Sequence, residues 1–208
     1  MNYLRNFAPW FVYAGVSLIG WQWGALAALV CAVFLLIQDR RAGVAADAQI
    51  LDFGTIVFAL GMTVVAFADP HSAIHDHDSA ISSAWLALIG WASLAVRSPF
   101  TQGVARRSAP KEVWNSPHFI RINTVITTVW TVSFTLSAAA EFTCSELGAG
   151  SALQLFCKAA GFVVPAVFTA RYVKKVRARV ADRLAAMEAA PATAAPEAGH
   201  QPLTYAQL

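Results

Sequence analysis

The chain has 208 residues, of which 57% are hydrophobic and only 13% charged; an average soluble domain is about 25% charged. A soluble core of this size cannot hide so much apolar surface, whereas bilayer lipid accepts it as long as the backbone is satisfied internally, as it is in helices. The net charge of +3 does not mark a nucleic-acid partner, because the basic residues are sorted along the chain rather than gathered on one face.

The first apolar run, from Phe7 to Ile37, is interrupted only by Ser17 and Gln22. As one helix it would be far too long to cross a bilayer once, at about 1.5 Å per residue. The cluster Gly20-Trp21-Gln22-Trp23-Gly24 is the expected break, since glycines permit a turn and tryptophans suit a membrane interface. This predicts two short contiguous helices, or a re-entrant segment followed by one span that starts near Gly24. No polar mature start follows the first run, so it is expected to be retained rather than cleaved as a signal peptide. Four further runs follow, over 50–68, 80–96, 122–140 and 152–173, most of them near the ~20 residues needed to cross the hydrocarbon layer.

The basic residues then set the orientation. Arg40 and Arg41 follow the first block; Arg97, Arg106, Arg107, Lys111 and Arg121 lie between the runs 80–96 and 122–140; Arg171, Lys174, Lys175, Arg177 and Arg179 follow the last. Basic residues beside spans are retained on the cytoplasmic side. The predicted fold is therefore all-α: a polytopic membrane protein with about six membrane segments and both termini cytoplasmic. Residues 1–181 are read as a single transmembrane domain, with the last helix running past Val173 as a basic juxtamembrane stretch suited to anionic headgroups. Residues 182–208 are read as a disordered Ala/Pro-rich cytoplasmic tail, because Pro191, Pro196, Gly199 and Pro202 sit among residues that bury little apolar area.

Three places attract chemical interest. The first is the outer loop Asp69 to Asp78, where His71, His75 and His77 stand among Asp69, Asp76 and Asp78. Imidazole and carboxylate ligate zinc, copper or nickel, yet no single regular element presents all three histidines on one face; the alternative is a solvated turn. The second is intramembrane polarity. Lys158 lies about a turn and a half inside the last span, where it either snorkels outward or pairs with Glu141 or Asp69. Asn123, Thr127 and Thr131 recur every four residues along one helical face, which suits close helix packing or a hydrated path. Asp52 is expected to reach cytoplasmic water. The third is the outer pair Cys144 and Cys157, whose ability to form a disulfide depends on a distance that sequence does not give.

No nucleotide loop, zinc-hydrolase motif or nucleophile elbow is present, and no acid, base and nucleophile converge. The chain is expected not to be an enzyme, and no cofactor is implied.

The order of these elements, and the cytoplasmic loop in particular, resembles the intracellular septation protein A family of bacterial inner-membrane proteins. The local likeness lies in Ser98-Pro99-Phe100-Thr101-Gln102 followed by Pro110-Lys111-Glu112-Val113-Trp114. The family's Asn three positions before a Trp is Thr127 before Trp130 here, and the stretch from Trp114 to the next span is longer, so the resemblance is that of a divergent relative or a neighbouring family. The resemblance implies a non-enzymatic role in envelope integrity, elongation or septation, through envelope or division proteins. In that loop Pro99, Gln102, Arg106, Arg107, Val113 and Trp114 are the expected lipid or partner contacts, as apolar anchors among basic residues. Membrane lipids are expected partners, and homo-oligomerisation is left open. The alternative function is a small transporter whose polar path is lined by the fifth and sixth segments.

Overall fold

The computed structural model describes residues 3–44, 46–107 and 109–189. All regular structure among them is helical, with no strand. Four helices are long and apolar enough to cross a membrane, and a fifth crossing is obtained if one bent pair counts as a span. Their outward faces carry Phe34, Val64, Leu136 and Phe156, all strongly exposed. Water tolerates such a perimeter poorly, while lipid covers it.

A short α1 (Tyr3–Asn6) leads into α2 (Ala8–Val16), with Pro9 in its first turn, where the missing N–H costs nothing. At nine residues α2 spans only about 14 Å, half a hydrocarbon core. The next helix, α3 (Trp21–Arg41), has 21 residues and is a full span. The break between them therefore covers 17–20 and ends on Gly20, the first residue of the cluster, and of the two expected arrangements the helix lengths fit a short segment followed by one span rather than two short helices. Gly24 lies inside α3, where a Cβ would collide with Ser17; its contribution is a close approach of the turn, not the turn itself. Trp21, expected at the interface, is buried and donates its indole N–H to the Pro70 carbonyl at 2.9 Å, whereas Trp23 is exposed.

The helix α3 stops at Gly43, whose φ of +76° ends it in the left-handed conformation. After a 3-10 turn at Ala46–Ala48, α4 (Ile50–Ala68) runs back to Asp69-Pro70. A second 3-10 turn, Ala73–His77, opens α5 (Asp78–Ala95). The stretch from Ala73 to Ala95 bends by 82° into α6 (Phe100–Arg106). The bend is made by Arg97, at φ +56°, followed by Pro99; the Ser98 N–H closes it on the Ser93 carbonyl at 2.9 Å. A last 3-10 turn (Lys111–Val113) precedes α7 (Pro117–Glu146), capped by Ser116 Oγ accepting from Phe119 N–H.

The final helix, α8 (Ser151–Ala189), passes through Pro165 and continues beyond residue 181. The expected disordered tail therefore starts too early: 182–189 are helical, because Arg, Ala, Met and Glu in this stretch are strong helix formers. The rest of that tail lies outside the described residues.

Neighbouring helices pack as antiparallel partners, chiefly α5 with α7, α3 with α4, α7 with α8 and α2 with α3. The short α2 is a wedge driven into this bundle. Phe7 stacks on Trp130 and Trp10 on Phe58, each with centroids 4.8 Å apart. Inward indoles find acceptors: the buried Trp10 and Trp130 donate to Thr55 Oγ1 and Thr169 Oγ1, and the half-buried Trp85 to the Gly54 carbonyl.

Candidate functional site

The ends of α1, α3 and α6 and the acidic start of α4 meet in one polar knot. Arg107 sits at its centre with its side chain 9% exposed, 2.8 Å from Asp39 and 3.2 Å from Asp52. It also donates to Asn6 Oδ1 at 2.8 Å. Arg5 reaches the same Asp39 at 2.8 Å and donates to Gln38. Two guanidinium groups thus face two carboxylates across four chain segments. Removing charges from water is costly, and shared fork geometry offsets that cost only when the partners are complete. Asp52 does not reach cytoplasmic water as expected, and Arg107 is not a free lipid contact, because each satisfies the other inside the bundle.

Only part of the loop expected to touch lipid or a partner is at the surface. Pro99 and Gln102 are buried, as are Phe100, Thr101 and Val104. The cause is the 82° bend, which turns α6 inward. Gly103 packs so closely that a Cβ would strike the Ala48 carbonyl. What remains accessible is the outer turn: Lys111, Glu112 and Asn115 are exposed, with Arg106, Val113 and Trp114 half-buried. The Arg106 guanidinium lies over the Trp114 ring at 5.4 Å, a cation–π contact. Arg106, Lys111, Trp114 and Asn115 line, with Arg107 and Gly43, a surface cleft of about 450 Å³.

The face of Asn123, Thr127 and Thr131 is buried entirely. Thr101 Oγ1 donates to the Asn123 carbonyl at 3.0 Å and lies 2.8 Å from Thr127 Oγ1. Thr131 fits against Gly90, where any Cβ would collide with it. This face joins α7 to α5 and α6.

At the opposite end, the three histidines take separate partners. His75 stacks on Trp21 with centroids 5.2 Å apart, and the backbone N–H of His71 donates to Asp69 Oδ1. His77 Nδ1 lies 2.9 Å from Ser145 Oγ, with Nε2 3.4 Å from Glu146. Among the described residues no group of three His, Cys, Asp or Glu side chains is arranged to hold a metal. Ser145, His77 and Glu146 follow the order of a serine–histidine–acid relay, which sequence reasoning missed because 68 positions separate the serine and histidine. Yet the Ser145 hydroxyl donates to the Asp76 carbonyl, and the N–H groups of Leu147, Gly148 and Ala149 are bound to carbonyls of α7. These three N–H groups are not free to hold an oxyanion, and the trio ties the outer loop to α7.

Glu141 is buried and accepts from Ser83 Oγ at 2.9 Å, while its second oxygen has no partner. Lys158 acts on it electrostatically without forming an ion pair. Cys144 and Cys157 are free thiols close enough to influence one another.

The knot escaped sequence reasoning because its members lie up to 102 positions apart. The signal was that Arg5, Asp39, Asp52 and Arg107 all fall on the same predicted side. No family model, characterised protein or solved structure matches this chain.

Proposed function

We propose that this multi-pass membrane protein resides in a bacterial inner membrane, with six membrane segments, the first of them re-entrant, and both termini inside. There it serves a non-enzymatic role in envelope integrity, elongation or septation, by docking envelope or division proteins and lipid at its cytoplasmic loop. The observation that carries this reading is the folded basic platform of Arg106, Lys111 and Trp114, held on a buried ionic knot that has no reacting group of its own. A rigid aromatic and basic surface is suited to recognition. The transport alternative draws less support, because Thr127 and Thr131, which would line its path, are buried in helix packing.

A photo-crosslinking residue at Trp114 tests the docking role in living cells. Recovery of envelope-synthesis or division proteins is expected, together with a shape or division defect on deletion. Crosslinks to lipid alone, with normal growth of the deletion strain, would exclude it.

A further inference from the structure

Between α2, α5 and α8 lies a chamber of about 350 Å³, within the usual size range of ligand pockets. It exists because α2 packs on α3 and α8 on α7, which holds the two helices apart over α5. Its walls are almost wholly carbon, from Trp10, Phe11, Leu86, Leu155, Phe162 and Val163. One end differs. Ser82, Ser83 and Lys158 line it, and both hydroxyls are already committed as donors, Ser82 to the Asp78 carbonyl and Ser83 to Glu141. The Lys158 ammonium makes no hydrogen bond and no ion pair among the described residues. Behind it, the buried Glu141 keeps one oxygen unpartnered.

We propose that this chamber holds an acyl chain of one phospholipid, whose phosphate pairs with the Lys158 ammonium. Glu141 attracts the Lys158 ammonium only without direct contact; an ammonium lacking a direct partner within a membrane segment is costly, and a phosphate oxygen supplies a charge-assisted one. The two halves of the site select together. An uncharged lipid would fill the carbon walls but leave Lys158 unpaired, and a water-soluble anion would pair with Lys158 but leave the walls uncovered. An amphiphile with a negative head satisfies both. The assignment needs only that these helices lie in lipid, and it is independent of the envelope role.

Native mass spectrometry of the full chain in mild detergent tests it, with dioleoyl phosphatidylglycerol as the probe and dioleoylglycerol as its uncharged counterpart. A saturable single adduct with the phospholipid is expected. Ala159→Trp, which fills the chamber, should weaken it by about tenfold or more, and Lys158→Gln by about fivefold while abolishing the preference over dioleoylglycerol. Ala14→Phe fills the chamber from the α2 wall, should Ala159→Trp not fold. Val64→Trp, on the exposed face of α4, should bind as the parent does. Equal adducts in the parent, the filled variants and Val64→Trp would mean annular lipid only and overturn the site. An unchanged preference in Lys158→Gln would overturn the phosphate contact, and displacement of the phospholipid by inorganic phosphate alone would overturn the acyl-chain assignment.

Discussion

Arg107 touches Asn6, Asp39 and Asp52 at once, so its removal leaves two buried carboxylates facing each other with only Arg5 to balance them. Breaking a buried ion pair from one side costs about 3–5 kcal/mol. Arg107→Ala is expected to lower stability by that order in thermal unfolding of detergent-purified protein. Adding Asp52→Asn should restore part of the loss by relieving the like-charge contact; a double variant no more stable than the single one would show that Asp52 is not held by Arg107. The thiols of Cys144 and Cys157 offer a second test at this scale. Mild oxidation with copper phenanthroline should join them and block maleimide labelling of both, leaving Cys31 as the residual site. Independent labelling after oxidation would place the ends of α7 and α8 further apart than the structure has them.

At the scale of elements, close approach and backbone conformation govern the bundle. The contact of α5 with α7 depends on Gly90 lying under Thr131. Gly90→Val forces the helices apart and is expected to cost about 1–3 kcal/mol, the usual penalty of overpacking, with partial recovery when Thr131→Ala is added. The sign reverses at Arg97, whose φ of +56° is disfavoured for any residue with a Cβ. Arg97→Gly should raise the unfolding temperature, by an amount equivalent to roughly 1 kcal/mol. The outer loop is held differently, by His75 on Trp21 and His77 on Ser145. Coordination of one metal by all three histidines would require both contacts to break. Zinc titrations of the parent and of a triple His→Ala variant are expected to coincide, and a larger heat for the parent would show that the loop reorganises around the ion.

For the molecule as a whole, orientation is the decisive variable, since it places the Trp114 platform on one side and the Lys158 end of the chamber on the other. Single cysteines introduced at Arg41 and Arg106 should resist a membrane-impermeant maleimide in intact cells, while those at His75 and Ser145 should react. Labelling at Arg106 would overturn the proposed topology, because the positive-inside argument rests on that loop.

The helices, their approximate limits and their sorting by charge follow from composition and periodicity alone, because a membrane helix needs only a sufficiently long apolar run and internally bonded backbone. The small-residue face of Asn123, Thr127 and Thr131 is likewise visible at its four-residue spacing, since those positions share a face in any helix. Position relative to other helices is another matter. Pro99 and Gln102 look like surface anchors in a basic loop, and only the 82° turn at Arg97 and Pro99 carries them inside. The nine residues of α2 read as part of a span, yet stacking of the preceding Phe7 on Trp130 and of Trp10 on Phe58 fixes one face of them in the bundle as a wedge. The ionic knot and the chamber depend on contacts between segments far apart in the chain. Periodicity describes which face of a helix is apolar or polar, but the partner that each face meets is decided by packing, so these sites exist only once the bundle has formed.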